Sequence, residues 1–343
     1  MDAFISRYDP TGVNLWTRQF GSPDNEVIQS VATGPAGRVY VVGWTSGALP
    51  SQRNLGGTDI FLRVYDGNGV DLLTLQFGSA QDDQDSMIVV DPISPIGAYV
   101  AGSVSGPMPG QPYAGKKDVF IRKYSDDAGE LWTRQFGSPE VDQPFGLTLD
   151  LAGNVYIAGT TSGALLGQSQ IGSTDIFIRK LDSDGEEVWI LQTGTVEADS
   201  VVGIVADQEG NLYLGGSTQG ALGGELHSGS WDVFLQKYNL DGELTWTRQF
   251  GSEGGDVALA VEVDPSGNVY VTGVSLGVTF LRKYSSDGAV IWSREFGPEQ
   301  IGATMALVVD NAGQAYLAGW TSESLLGQVI RGGRDAFLAQ LSP

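Results

Sequence analysis

Several residue types that carry common protein chemistry are missing or scarce in this chain of 343 residues. It has no cysteine, which excludes disulfides, thiol nucleophiles and thiolate metal sites. It has one histidine, His227, which excludes multi-histidine zinc sites and leaves little basis for a histidine-based catalytic triad. No apolar run approaches the roughly 18 residues of a membrane-spanning helix, and residues 1–9 lack the pattern of a signal peptide. We therefore expect no membrane insertion.

Positive charge is also scarce. The chain has 41 acidic and 19 basic residues, so its formal net charge is −22. Such a surface repels phosphate backbones and anionic lipid headgroups. We therefore expect neither nucleic acid nor a membrane surface as a partner.

Glycine is abundant, with 49 residues, and three short elements recur along the chain. The first is Trp-Thr-Arg-Gln-Phe-Gly at residues 16–21, 132–137 and 246–251, with degenerate copies at 73–78, 189–194 and 292–297. The second, of the Gly-Asn-Val-Tyr-Val-x-Gly type, occupies residues 37–43, 97–102, 153–159, 210–216, 267–273 and 313–319. The third, Asp-x-Phe-(Ile/Leu)-x-(Arg/Lys)-Tyr, is centred on Phe4, Phe61, Phe120, Phe177, Phe234, Phe280 and Phe337. Five of the six phenylalanine spacings are 57 or 59 residues, which indicates a repeated structural unit.

Each repeat contains four short runs that are typical of strands. In one repeat, residues 258–263, 268–272, 279–284 and 290–296 alternate or are rich in β-branched and aromatic residues, and Asp-Gly turns separate several of them. We name these strands a, b, c and d. Repeated four-stranded units predict an all-β β-propeller, here with six blades in a single domain of residues 1–343, and seven blades is the alternative.

The ends of the chain suggest how the propeller closes. The sequence begins with a strand c at residues 2–8 and a strand d at Asn14–Phe20, and it ends with strands a, b and c, the last at Asp335–Leu341. A mixed N- and C-terminal blade would therefore close the six-bladed ring and remove its open edges. Two copies of strand c compete for the slot beside residues 315–318, and we expect the N-terminal copy to win it. The surplus strand could pair with another chain, giving a strand-exchanged oligomer.

The motifs Phe-Ile-Arg-Lys-Tyr, Asp-x-x-Gly-Asn-Val-Tyr-Val-x-Gly and Gly-x-Thr-Ser resemble those of the bacterial beta-propeller repeat family SBBP. The resemblance covers essentially the whole chain and implies the propeller fold. It also implies an extracytoplasmic bacterial setting, which the residues alone do not indicate.

An acidic residue recurs at one position of the connection between strand d and the next strand a. Counted six residues beyond the strand-d aromatic position, it is Glu26, Asp83, Asp142, Asp199 and Asp256. We expect these side chains to cluster around the mouth of the axial channel. Three roles are open: accepting backbone N–H bonds that lock the blades together, holding a cation such as calcium or magnesium, or serving as a catalytic carboxylate pair.

The tryptophans fall into two groups. Trp16, Trp132, Trp189, Trp246 and Trp292 share one strand-d position, which predicts packing between blades. Trp44 and Trp320 instead follow the strand-b glycine, so we expect both to be partly exposed on the side of the long b-to-c loops. They are candidates for contact with a ligand such as a sugar, and filling space between blades is the alternative. His227 and Trp231 lie in the blade 4 loop, and a surface role is the simpler interpretation of His227. The turn at Asp182 resembles the start of a calcium loop but lacks its distal glutamate.

These observations predict a non-enzymatic binding module for carbohydrate or protein. The alternatives are a polysaccharide lyase or glycosidase that depends on a divalent cation, with calcium as the candidate cofactor, and a structural spacer in a larger envelope protein.

Overall fold

The computed structural model describes residues 1–91, 97–125, 129–296, 303–322, 329 and 332–341. Apart from the single 3₁₀ turn Pro35–Gly37, every regular element in these residues is a strand. The strands are β1 (Ala3–Tyr8), β2 (Asn14–Phe20), β3 (Glu26–Thr33), β4 (Val39–Thr45), β5 (Asp59–Tyr65), β6 (Asp71–Phe77), β7 (Asp83–Val90), β8 (Ala98–Val104), β9 (Asp118–Tyr124), β10 (Glu130–Phe136), β11 (Asp142–Leu149), β12 (Val155–Thr161), β13 (Asp175–Leu181), β14 (Glu187–Thr193), β15 (Asp199–Ala206), β16 (Leu212–Thr218), β17 (Asp232–Tyr238), β18 (Leu244–Phe250), β19 (Asp256–Val263), β20 (Val269–Ser275), β21 (Val278–Tyr284), β22 (Val290–Phe296), β23 (Ala303–Val309), β24 (Ala315–Thr321) and β25 (Asp335–Leu341).

These strands form small sheets in which sequence neighbours pair. Five sheets have four strands each: β3–β6, β7–β10, β11–β14, β15–β18 and β19–β22, which we number blades 1 to 5. The strands β23–β25 form a three-stranded sheet, which we call blade 6, and β1–β2 form a hairpin. The prediction of an all-β, six-bladed propeller is confirmed.

The predicted occupant of the strand-c slot in the sixth blade is wrong. β24 pairs along its whole length with the C-terminal strand β25, from Ala315↔Leu341 to Thr321↔Asp335. The N-terminal strand β1 pairs with β2. The physical reason is that β25 follows β24 directly in the chain, so this pairing closes a much shorter loop than one with β1 would.

The chain divides into two compact units. One contains residues 1–147, 161–168 and 181–186, and the other contains residues 148–160, 169–180 and 187–343. The first holds β1–β10 and most of β11, and the second holds β15–β25. The single domain of residues 1–343 stays a prediction.

Side chains of the strand-d motif join neighbouring blades, as Trp132 and Arg134 of blade 2 illustrate. The Trp132 indole packs against Tyr99 of its own blade with ring centroids 5.9 Å apart, and its Nε1 donates to the Ser183 carbonyl at 3.1 Å. The Arg134 guanidinium lies over the same indole, and its Nε donates to the Gly185 carbonyl at 2.8 Å. The predicted packing role of the strand-d tryptophans is thus visible in their contacts. Similar indole-to-carbonyl bonds are made by Trp16, Trp189 and Trp246.

Candidate functional site: the long-loop side of the blades

The b-to-c loops and the d-to-a connections emerge at the same end of each blade, which we call its long-loop side. A glutamine of the Trp-Thr-Arg-Gln-Phe-Gly motif fixes the loop there. In blade 2, Gln135 Oε1 accepts a bond from the Met108 N–H at 2.8 Å, and its Nε2 donates to the Gly106 carbonyl at 3.2 Å and to Asp118 Oδ2 at 3.0 Å. One buried amide therefore holds both the loop and the start of strand c. Gln76 and Gln249 make the same set of contacts in blades 1 and 4.

The first residue of strand c is a second fixed point of each loop. In blade 2 this residue is Asp118, whose side chain has no solvent exposure. Its Oδ2 accepts the N–H of Ala114 in the loop at 2.8 Å. A buried carboxylate that accepts a loop N–H and an amide keeps the end of the loop in place. The equivalent aspartates Asp59, Asp175 and Asp232 are also buried and accept a loop N–H.

The five acidic residues predicted from the d-to-a connections are all buried, with exposed fractions of 0 or 1%. Four of them accept the N–H of the residue four positions earlier at 2.6 Å, as Asp256 does from Ser252. Glu26, which has a longer side chain, accepts hydroxyl bonds from Ser22 and Thr45. The backbone of the same residues crosses to the preceding blade, because Asp256 N–H donates to the Trp231 carbonyl at 2.9 Å. Of the three roles considered for these residues, the contacts match the one in which each carboxylate accepts hydrogen bonds at the junction between blades.

Each strand-a carboxylate lies near a strand-c aspartate of the preceding blade rather than in isolation. Burial raises the pKa of Asp83 to about 7, with a further upward contribution from Asp59. Burial also raises the pKa of Asp142 and of Asp199, and in each case the strand-c aspartate adds to the effect. The buried carboxylates of one junction therefore disfavour each other's charge.

The motif glycine lies between the two carboxylates of a junction. A Cβ atom placed on Gly137 would lie 2.6 Å from Asp118 Oδ1 and 2.8 Å from Asp142 Oδ2. At Gly251 the corresponding distance to Asp232 Oδ1 is 1.9 Å. Any side chain here would displace a buried carboxylate, which explains why glycine ends the motif. Four carboxylate oxygens in these junctions have no hydrogen-bond donor, namely Glu26 Oε2, Asp59 Oδ1, Asp142 Oδ1 and Asp232 Oδ1.

Calcium or magnesium bound by Glu26, Asp83, Asp142, Asp199 and Asp256 stays a prediction, as does their arrangement around one channel mouth. Among the residues that the structure describes, no three or more histidine, aspartate or glutamate side chains are grouped in a way that could hold a metal ion. The Asp182 turn shows ordinary turn chemistry, since Asp182 Oδ1 accepts the N–H groups of Asp184 and Glu186.

The structure leaves both candidate ligand-binding tryptophans half-buried. Trp44 lies near the end of β4, opposite Val27 and Ile60. Trp320 lies near the end of β24, and the Arg334 guanidinium stacks on its indole at 4.0 Å. An indole face covered by arginine offers less area to a sugar ring, which makes Trp320 the weaker candidate. Contact of Trp44 and Trp320 with a ligand stays a prediction.

The long loops bury one apolar residue and expose another. Leu165 and Leu222 are buried at the bases of the loops in blades 3 and 4. Leu166 is 94% exposed and Leu226 is 86% exposed in the same two loops. His227 follows Leu226 and turns inward, with its Nδ1 3.2 Å from Asp232 Oδ2. The loops are thus anchored at the base and present an apolar side chain to solvent.

Sequence reasoning missed the strand-c aspartates and the motif glutamines. Both belong to the recurring motifs, in Asp-x-Phe and in Thr-Arg-Gln-Phe, so their regular spacing was the available signal. Their roles could not be predicted because their hydrogen-bond partners lie far away in the sequence. Gln135, for example, bonds Gly106, which is 29 residues away.

The strands and this scaffold define the chain as a β-propeller repeat module. The family model described as "SBBP: Beta-propeller repeat" matches residues 15–50, 131–167 and 188–224. Three segments of the chain therefore match SBBP beta-propeller repeats, which confirms the predicted resemblance. In the part of the chain that the structure describes, no helix has the length and hydropathy needed to cross a membrane.

Two relatives share part of their sequence with this chain. Regulatory protein FlaEY of Caulobacter vibrioides is 28% identical over 174 residues, which cover 46% of this chain and 18% of FlaEY. An uncharacterised WD repeat-containing protein of Acanthamoeba polyphaga mimivirus is 25% identical over 194 residues, which cover 45% of this chain and 14% of that protein. The matched region is thus under a fifth of the length of either relative.

Two solved structures share the fold. A protein from Lactobacillus plantarum has a TM-score of 0.55 at 13% identity, with 92% of this chain and 89% of that chain covered. The polysaccharide lyase Uly1 has a TM-score of 0.57 at 11% identity, with 99% and 84% covered. At these identities the likeness concerns the fold alone.

Proposed function

We propose that this chain is a non-enzymatic binding module that holds a protein partner on the long-loop side of its blades. The observation that carries the proposal is Leu226, which is exposed on a loop whose base is fixed by buried polar contacts. Leu166 is exposed in the same way on the blade 3 loop. Exposed apolar side chains on a rigid support are typical of protein interaction sites. A fixed loop also loses little conformational entropy when it binds.

The same contacts support a role without catalysis. The carboxylates of Asp83, Asp142, Asp199 and Asp256 are buried and already accept hydrogen bonds from their own connections. A general acid or base must instead reach the substrate proton that it transfers. The near repetition of one arrangement in successive blades fits a scaffold better than a single catalytic centre. In the part of the chain that the structure describes, these buried carboxylates therefore lend the lyase or glycosidase alternative no support beyond the shared fold.

A carbohydrate ligand is the second candidate, because Trp44 has a half-buried indole near the end of β4. An aromatic face suits the apolar face of a sugar ring. Leu166 and Leu226 favour a protein partner, since an isolated aliphatic tip offers nothing to sugar hydroxyls.

The test is to screen the purified chain in parallel on an array of defined synthetic peptides and on a glycan array. We expect peptide binding that is weakened by Leu226→Ser. The control is Leu244→Ser, which changes another exposed leucine of blade 4, at the start of strand d and 48% exposed. Glycan binding that Trp44→Ala abolishes, with no peptide binding, would replace the proposal by the carbohydrate alternative. No difference between Leu226→Ser and Leu244→Ser on either array would refute the role of the loops.

A further inference from the structure

Blade 5 departs from the other complete blades on its long-loop side. Its strands b and c, β20 and β21, are joined by a turn of two residues, Leu276 and Gly277. In blades 1 to 4 the loop after strand b instead folds back over the d-to-a connection. There, for example, Gln219 N–H donates to the Ala198 carbonyl at 2.9 Å. Ser46, Ser105 and Ser162 make the equivalent bonds in blades 1, 2 and 3.

The short turn leaves the end of strand b uncovered. The last residue of strand b is fully buried in blades 1 to 4, where it is Thr45, Val104, Thr161 and Thr218. In blade 5 the corresponding residue, Ser275, is partly exposed. The blade 5 notch is the surface that this leaves open, formed by Trp231, Glu253, Gly254, Val257 and Leu276.

Contacts within the second unit place these residues side by side. Val257 pairs with Val274 next to the turn. A Cβ atom on Gly254 would lie 2.6 Å from Leu276 Cδ2, so the leucine lies against the connection. The backbone of Trp231 forms a β-bridge with that of Gly255 in the same connection, and the Trp231 side chain is half-buried. Leu276 is 69% exposed and Val257 is 44% exposed, so the notch presents apolar groups to solvent.

The long-loop side of blades 4 and 5 carries charge of one sign. The basic residues of blades 4 and 5 are Lys237, Arg248, Arg282, Lys283 and Arg294, and all five lie within strands c and d. The connections on the long-loop side carry Glu197, Glu225 and Glu253, and Asp256 is buried directly below. Apolar groups on a side of the blades that carries acidic residues fit a ligand that combines apolar and cationic side chains.

We infer that the blade 5 notch binds a polypeptide segment of a partner protein in which leucine-like residues are interspersed with lysine or arginine. This inference deepens the proposed function and rests on it, since it names the chemistry of the partner and its place. Leu276, Val257 and Trp231 bury the apolar side chains of the segment. Glu253 pairs with a cation at the rim, where an ion pair contributes more to selection and association rate than to affinity.

The backbone conformation of the blade 5 turn suggests a substitution that should not disturb folding. Leu276 has φ 48° and Gly277 has φ 80°, so both residues of the turn are left-handed. Asn-Gly is the preferred sequence for a two-residue turn of this kind. Leu276→Asn therefore removes the apolar group while the turn is expected to fold at least as well.

The experiment measures fluorescence anisotropy with synthetic 12-residue peptides in which leucine alternates with lysine, leucine with glutamate, or serine with lysine. We expect the leucine–lysine peptide to bind the full chain much more tightly than the other two. Leu276→Asn should weaken it at least about tenfold, which is the scale of a central apolar contact. Glu253→Gln should weaken it less and reduce the dependence of affinity on salt. Leu244→Asn, at an exposed leucine of strand d in blade 4 and outside the notch, should leave it unchanged.

Amide hydrogen exchange then locates the bound peptide, and protection is expected at residues 252–257 and 274–278. Equal binding of the three peptides would overturn the inference, as would an affinity that Leu276→Asn leaves unchanged. If Leu226→Asn weakens binding and Leu276→Asn does not, the notch is refuted while the proposed use of the long loops stands. If the array screen finds no peptide at all, the proposed function fails together with the notch.

Discussion

Replacing Gln135 by methionine is the sharpest test of how the long loops are held. Methionine has nearly the same length and volume, so the substitution removes the amide without opening a cavity. Gln135 is 5% exposed and bonds the Met108 N–H, the Gly106 carbonyl and Asp118 Oδ2. The substitution leaves the Met108 N–H and the Gly106 carbonyl without this partner. Asp118 loses the hydrogen bond from the amide but keeps the one from the Ala114 N–H.

A buried polar group without a partner costs about 1–3 kcal/mol. With three affected groups we expect a loss of about 3 kcal/mol, the lower end of this range. The lower end applies because water can hydrogen-bond to these groups once the loop loosens. The free energy of unfolding, measured by urea denaturation, should fall by this amount. Amide exchange should rise over residues 105–117 before it rises in strands β8 and β9.

The matched control is Gln208→Ala, at an exposed position in a turn of blade 4. It should change stability by less than about 0.5 kcal/mol, as most surface substitutions do. If Gln135→Met costs no more than this control, or if its exchange increases equally everywhere, the glutamine does not anchor the loop.

Three further predictions concern the junctions and the last strand. Gly137→Ala should destabilise the fold by about 1–3 kcal/mol in urea denaturation, because its Cβ would meet two buried carboxylates. Gly333→Ala, with no atom within 4 Å of its Cβ, should be neutral, and equal effects of the two substitutions would contradict the close contact at Gly137. The pKa of Asp83 rises from 3.8 to about 7 in the folded chain, so its contribution to stability should fall as pH rises from about 4 to 7, by at most about 4 kcal/mol. If the free energy of unfolding of Asp83→Asn keeps the full dependence on pH, Asp83 is not the cause of that dependence. Phe337→Ala should lower the melting temperature through lost packing in the β23–β25 sheet, while Leu338→Ala, at a 68% exposed position, should not; the reverse order would show that β25 pairs in the other register.

The sequence predicted the blades well because each strand carries its own local signal. Residues 268–272 alternate in polarity, and the structure has β20 at Val269–Ser275. The Asp-x-x-Gly turns also follow from local chemistry, since Asp264 Oδ1 accepts the N–H groups of Ser266 and Asn268. Elements that depend only on near neighbours could therefore be located from the pattern alone.

Choices between equivalent segments could not be made in the same way. Residues 2–8 and Asp335–Leu341 carry copies of one motif, so their local propensities are the same and only the length of the connecting chain separates them. Leu165 and Leu166 are adjacent leucines, yet one is 2% exposed and the other 94%. Which of them is buried depends on the path of the loop, and Asp175 fixes the end of that loop by accepting the Ile171 N–H.

The repeated motif itself indicates where binding should be sought. In Trp-Thr-Arg-Gln-Phe-Gly of blade 2, Trp132 and Arg134 bond carbonyls of the next turn, Gln135 holds the loop, and Gly137 leaves room for two carboxylates. Residues that serve the scaffold in this way recur in every complete blade or nearly so, because every junction needs them. A partner that binds at one place must instead contact residues that differ between blades. The two-residue turn of blade 5 is such a departure, and it replaces a covering loop by an exposed leucine beside acidic side chains.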